Sequence, residues 1–148
     1  MANSREQIAL SPDEVSSYLA SARTAVLVTI GPDGAPDPVG MWFVMDGGDV
    51  VMRTYAKSQK VINIERDPRV SVLIEDGDTY STLRGVQLTG RMELSRNVED
   101  VLDVVAALAA KYEDVTGLDR ASMQDYARKQ AVLRLRAETV VSWDHRKA

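Results

Sequence analysis

The chain has no cysteine and a single histidine. Disulfides, thiolate metal sites and cysteine nucleophiles are therefore excluded. The one imidazole, His145, lies three residues from the C-terminal Ala148. A His-rich metal site is excluded with it, and a catalytic role would require the tail to fold over a pocket, against the usual behaviour of termini. No apolar run approaches the roughly 20 residues that a membrane helix needs. The first stretch, MANSREQIALSPDE, is polar and has no apolar signal core. Positive charge is not in excess: 18 basic residues face 22 acidic ones, for a net charge of -4. Nucleic acid as the main partner needs a broad basic surface, which this balance does not offer. There is no Gly-x-Ser-x-Gly elbow, no Gly-x-Gly-x-x-Gly after a strand and no Walker loop, so serine hydrolases, dinucleotide folds and phosphate-loop NTPases find no support. What is present is an ordinary soluble composition, 45% hydrophobic and 27% charged. The expectation is one domain over residues 1–148 with a sizeable core: a cytoplasmic enzyme or binding protein with no membrane partner.

Residues 1–10 read as a loose lead-in. Ser11-Pro12-Asp13-Glu14 is a capping box with Pro at the first helical position. It predicts a helix to about Ala22 that buries Val15 and Leu19. Thr24 to Ile30, TAVLVTI, is rich in β-branched residues and predicts a strand. Gly31-Pro32-Asp33-Gly34 is a tight turn. A second strand is expected from Pro38 to Met45 and, after Asp46-Gly47-Gly48-Asp49, a third from Val50 to Tyr55. Connections this short make an antiparallel meander. A short helix after Ser58 carries Val61, Ile62 and Ile64 toward the core and stops at Asp67-Pro68. A fourth strand spans Arg69 to Glu75, and a long fifth runs from Thr79 to Leu94. Gly85 and Gly90 within it mark bulges, bends or close approaches, and its length predicts that it bends around a barrel. Asn97 caps a helix whose Val101, Leu102, Val105, Leu108, Ala109 and Tyr112 form one apolar stripe, read as core packing. Ser122 caps a shorter helix. The last strand runs from Val132 to Trp143, and its disturbed alternation near Thr139 predicts a bulge. No βαβ repeat occurs. The fold expected is mainly β: a six-stranded antiparallel barrel with peripheral helices, since closure removes sheet edges.

Asp76 and Asp78 flank Gly77, where turn chemistry explains them. With no nucleophile, no metal set and no acid–base pair, no catalytic residue is nominated. An enzyme of this sequence would borrow its reactivity from a cofactor, leaving the protein to bind, orient and exclude water. Arg53 to Ser71, RTYAKSQKVINIERDPRVS, offers a place for one. Arg53, Lys57 and Lys60 put three cations within eight residues of a helix start. Free N–H groups and the dipole at that start favour an anion. Ser58 is the natural N-cap, with a hydroxyl for the backbone or for a phosphate oxygen. The same residues also read as a solvated Lys-rich loop, and taken alone they leave both readings open.

The order strand, GPDG turn, P-x-P-V-G-M-W-F-V, turn, strand, then K-S-Q-K-V-I-N-I-E-R-D-P-R-V-S-V resembles the split β-barrel flavin and deazaflavin reductases of the pyridoxamine 5′-phosphate oxidase-like superfamily. It is most similar to the small actinobacterial branch that uses the deazaflavin coenzyme F420. The resemblance runs from Ser11 to Trp143, and K-x-x-N-[IL]-x-R-D-P-R-[VA]-S is its most specific part. It implies a six-stranded split β-barrel and a homodimer with each cofactor site at the subunit interface. It implies F420, with FMN as the alternative cofactor, and hydride transfer to or from a small unsaturated or quinone-like substrate. A non-catalytic carrier of a flavin or deazaflavin is the alternative function. By the resemblance, Lys60 would neutralise the cofactor phosphate and Ser58 would add a hydrogen bond. Arg53, Thr54 and Tyr55 would line the groove leading to the ring. Gly40, Met41 and Trp42 match the segment that borders the ring, where Gly40 has no side chain to block the approach. Trp42 either stacks near the ring or is buried in the barrel wall. Many relatives carry an Arg two residues before the signature lysine. Here Ser58 stands in that place, with Lys57 just before it. Lys57, Lys60 and Arg53 would offer a path for the polyglutamate tail of F420. The second set of basic and C-terminal residues that pyridoxine phosphate oxidases use for their substrate is missing, which speaks against vitamin B6 phosphate oxidation.

Overall fold

The computed structural model describes residues 4–148. Most of the expected lead-in is ordered: Ser4–Ile8 is a short helix, α1, and residues 1–3 lie outside the described residues. Pro12–Ser21 is α2. Its capping box is formed, with Glu14 N donating to Ser11 Oγ at 3.2 Å and Ser11 N donating to Glu14 Oε1 at 3.0 Å. It buries Tyr18 and Leu19.

Seven strands follow in one sheet: β1 Ala25–Ile30, β2 Pro36–Met41, β3 Val44–Asp46, β4 Asp49–Tyr55, β5 Arg69–Asp76, β6 Arg84–Ser95 and β7 Gln130–Asp144. Their order is β2-β1-β5-β6-β7-β4-β3, and every pairing is antiparallel. This corrects the expected count of six and the expected closure. The strand read as Pro38 to Met45 is broken at Trp42-Phe43. Its first half pairs with β1 at one edge of the sheet, and its second half pairs with β4 at the other. Only two residues join the two edges, so Met41 and Val44 lie at most about 11 Å apart. The sheet is therefore rolled like a barrel, but the ladder does not close. Phe43, fully buried, has no strand partner for its backbone. Its N–H donates to Tyr112 Oη at 3.1 Å, and its carbonyl accepts from Lys111 Nζ at 3.0 Å.

Inside the roll lie Leu27, Phe43, Met52, Ile74, Leu133 and Leu135, all essentially inaccessible. The helix Val98–Glu113, α4, covers the outer side of β3, β4 and β7. Its Val101, Leu102, Val105 and Leu108 pack on Val44, Val51 and Val132 in a second core. Asn97 caps it as expected, accepting from Asp100 N at 3.1 Å. Gln59–Arg66 is α3. Val61 and Ile64 of α3 are buried, but Ile62 is half exposed; Asn63 takes the inward place instead. Its amide donates to Thr29 Oγ1 at 2.9 Å and Asp37 Oδ2 at 3.1 Å, which tie the helix to β1 and β2. Gln124–Ala127 is α5. Ser122 does not cap it: residues 121–123 form a 3₁₀ turn, and Met123 holds the N-cap position. Thr79 to Thr82 likewise form a turn, so β6 starts only at Arg84.

The glycines and the bulge behave as expected. The register of β6 on β7 shifts between Thr89, opposite Thr139, and Gly90, opposite Ala137, so Glu138 is the extra residue. A Cβ on Gly90 would stand 2.1 Å from the Arg136 carbonyl oxygen, and one on Gly85 would stand 2.5 Å from the Trp143 ring. Gly40 differs, with nothing within 4 Å of a Cβ built there.

Gly90→Ala should destabilise the protein by about 1–3 kcal/mol, the range for overpacking, whereas Gly40→Ala should stay within about 0.5 kcal/mol of wild type. Urea titrations of both variants check this, and equal midpoints would refute the close approach. A second expectation concerns Lys111. Burial, then the charge of Arg23, push its pKa from 10.5 down to about 8. The folded protein then loses this proton near pH 8 while the unfolded chain keeps it to about pH 10.5. Stability from this group should rise between pH 8 and 10. Lys111→Met should flatten that rise in denaturation midpoints measured at pH 7, 8.5 and 9.5; parallel slopes would show that the group does not contribute.

Candidate functional site

The site lies where the ladder opens. β3 pairs with β4 only through Asp49, Val50 and Val51. From Met52 to Tyr55, β4 keeps its β7 neighbour on one side and has no strand on the other. β2, paired only with β1, leaves its own free edge on the far side of the opening. A cleft of about 470 Å³ is lined there by Thr24, Gly40, Met41, Trp42, Arg53 and Leu108. Gly40, Met41 and Trp42, expected to border a ring, and Arg53, expected in the groove leading to it, thus line one slot, and the open space above Gly40 belongs to it.

Trp42 is not buried in the barrel wall: it is 51% exposed. It stacks on Tyr112 with ring centroids 4.3 Å apart and planes within 7°. The Tyr112 hydroxyl also reaches the Arg23 carbonyl at 2.7 Å, and the Arg23 guanidinium sits over the same ring at 4.6 Å. The tryptophan is therefore supported from behind by α4.

Successive side chains of a strand point to opposite faces. Arg53 accordingly lies on the α4 side of β4, and Thr54 lies on the inner side, buried. Thr54 begins a polar cluster. Lys60 Nζ donates to Thr54 Oγ1 at 3.1 Å, and Ser58 Oγ stands 3.5 Å from the same oxygen. Ser58 occupies the N-cap position of α3, but its hydroxyl makes no capping bond. Val61 N and Ile62 N bond to the Ser58 carbonyl, while the N–H groups of Gln59 and Lys60 take no partner among the described residues. A cation, two hydroxyls and free amides at a helix start make an anion-binding arrangement. Tyr55 is 63% exposed beside it, and Lys57 is exposed, with no hydrogen bond or ion pair among the described residues. The signature K-x-x-N thus divides: Lys60 is available at the helix start, while Asn63 is structural.

Sequence reasoning missed the partners of Arg53. Its Nη1 donates to Gln130 Oε1 at 3.0 Å, and its guanidinium lies 5.6 Å from the Tyr126 ring centroid. Gln130 is fully buried, yet its amide nitrogen and the Arg53 Nε have no partner. No local signal marks Gln130, because 77 residues separate it from Arg53. The other polar candidates serve the fold. Asp76 pairs with Arg84 at 2.7 Å. His145 packs edge-on against Tyr80 at 4.6 Å and lines a different cleft, with Trp143 and Gln87. No group of three metal-ligating side chains occurs among the described residues.

Known proteins agree with this architecture. A solved structure of a conserved hypothetical protein from Mycobacterium tuberculosis is 40% identical, with a TM-score of 0.91 over 99% of this chain and 92% of that one. One described as an F420 reductase is 23% identical, with a TM-score of 0.67 over 84% of this chain and 94% of that one. A FAD-binding protein from Mesorhizobium loti is 18% identical, with a TM-score of 0.68 over 90% and 94%. At the last two identities the likeness shows the fold alone. No curated protein matches the sequence significantly. The sequence profile described as pyridoxamine 5′-phosphate oxidase matches residues 11–144, and with nearly the whole chain covered, this protein belongs to the pyridoxamine 5′-phosphate oxidase family.

Proposed function

We propose that this chain is an F420-dependent oxidoreductase, acting in the cytoplasm as a homodimer, that moves a hydride between the reduced deazaflavin and a small unsaturated or quinone-like substrate. FMN is the alternative cofactor. The observation that carries the reading is the slot itself. It offers an open glycine edge beside an aromatic wall, and Thr54, the residue after Arg53 on β4, carries a separate cluster with Lys60, Ser58 and the free amides at the helix start. The residues fit such a group. Gly40 leaves room for a flat ring, Trp42 gives it a rigid border, and Lys60 keeps donors beyond its bond to Thr54. When bound, the deazaflavin supplies the hydride. The chain binds the phosphate through Lys60, orients the ring along Gly40–Trp42 and shields it with Leu108. Lys57, exposed and unpaired next to this cluster, suits the longer anionic tail of F420 better than it suits FMN.

A second reading, a carrier without turnover, draws on the composition of the ring cleft. No carboxylate or imidazole lines it, so the chain offers no general acid there. A second copy fits the outer face of the sheet. Val26, Leu73, Gln87 and Val141 stand in register across four strands, and Val26 and Val141 are 36% and 47% exposed.

Parallel titrations with F420 and FMN test the site. Lys60→Ala should weaken binding of either cofactor by about 1.5–3 kcal/mol, the range for a hydrogen bond to a charged group, or roughly 10- to 150-fold. Lys57→Ala should cost less and act mainly on F420. Unchanged affinities in Lys60→Ala would reduce Arg53–Ser71 to a connection between strands. Incubation of reduced F420 with a panel of enones separates the two functions: oxidation of the cofactor supports the enzyme, and binding without oxidation supports the carrier. Light scattering at micromolar concentration should give twice the 16.3 kDa chain mass; a monomer there would count against the shared interface.

A further inference from the structure

We propose that the cleft between α4, α5 and β4 is a subsite for a flat apolar carboxylic acid, with Arg53 reading the carboxylate. The proposal names the substrate class for the slot above and rests on that slot being the cofactor site. This second cleft measures about 200 Å³ and shares Trp42, Arg53 and Leu108 with the first. Val105, Leu118 and Met123 give it apolar walls, and Tyr126 adds an aromatic one. Such walls favour a planar apolar body.

The acid is argued from Arg53. Arg84, Arg120 and Arg134 are half-buried like Arg53, and each of them holds a carboxylate at 2.5–2.9 Å. Among the described residues Arg53 has only the neutral amide oxygen of Gln130 and the Tyr126 ring. A half-buried cation without a counterion is costly unless a ligand provides one. The hydrogen-bond inventory points the same way. Among the described residues, the buried side-chain atoms left without partners here are two donors, Arg53 Nε and Gln130 Nε2, and no side-chain acceptor is left over. The Arg53 bond fixes the amide orientation, because only the oxygen of Gln130 can accept it. A site with unmatched donors and a free positive charge calls for an anionic acceptor. Glu113 also lines the cleft, but it is exposed and its charge is screened by solvent. An α,β-unsaturated acid meets both demands, since its conjugation keeps it flat and its carboxylate supplies the acceptor.

Calorimetric titration with trans-cinnamate and with cinnamamide, its neutral isostere, tests the assignment on the purified protein with and without F420. The acid should bind at least about tenfold more tightly than the amide. Arg53→Gln should erase that preference, and Arg53→Lys should keep part of it, with circular dichroism confirming the fold of both. If Arg53→Gln does not fold, Leu118→Trp, which fills the cleft from its half-buried loop, should weaken cinnamate binding at least about tenfold. Equal affinity for acid and amide in wild type, no binding of either at millimolar concentration, or a preference that survives Arg53→Gln would overturn the subsite. Cofactor binding reads Lys60 and acid preference reads Arg53, so the two readings fail separately. Cofactor binding without acid preference sinks this one alone. Acid preference without cofactor binding upholds the subsite and counts against the cofactor.

Discussion

The backbone of Phe43 is the point on which the architecture turns. A rolled sheet that stops pairing at one corner buries an amide and a carbonyl that a closed barrel would place in its ladder. Each would cost about 1–3 kcal/mol if left unmatched. Here the partners come from the end of α4. Tyr112 Oη accepts the amide, and Lys111 Nζ and Tyr112 Oη serve the carbonyl. Leu108 stands one turn before Tyr112 on the same helix face. The bonds that stabilise the break therefore also hold the helix that places Leu108 with Trp42 and Arg53 in the lining of both clefts. The helix closes the fold and sets the wall of the site with the same residues.

The elements legible in the sequence are those whose causes are local. The Ser11 capping box, the Asn97 cap and the Gly-marked turns each depend on residues within a few positions, and all form. The bulge near Thr139 was legible too, because an extra residue shifts the alternation along β7 itself. The break at Trp42-Phe43 was not. VGMWFVM is a continuous apolar run without Gly or Pro at the break, and the groups that permit it lie 68 and 69 residues away on α4. Tyr112 was read as one more apolar stripe residue, which hides the work of its hydroxyl. Ile62 failed for a related reason. A buried asparagine is tolerated only with partners, and Thr29 and Asp37 are invisible from within the helix.

Legibility of the site follows the same division. The basic loop, the helix start and the small residue at Gly40 are readable as residue types; of the residues named, Gly40, Met41, Trp42 and Arg53 line one cleft, and Lys60 and Ser58 gather at Thr54. That Arg53 and Thr54 serve different sides of it is a consequence of strand geometry, which pattern alone does not locate. What the sequence could not supply was the balance of donors and acceptors around Arg53. That balance depends on Gln130 at the start of β7, paired across the ladder with Tyr55.

The opening also explains how a chain without a nucleophile or a metal set can still carry a site. An unpaired strand edge is normally a liability that proteins cover or charge. Here β4 turns its Met52–Tyr55 edge toward a gap whose other side is the free edge of β2. The edge is guarded by Arg53 on one face, and by Lys60 through Thr54 on the other. Two cations flanking one strand edge discourage a further strand and favour an anionic ligand. Because side chains alternate along β4, one short segment presents a cation to each face of the sheet. The gap that costs the barrel its last ladder is the same gap that forms the candidate site.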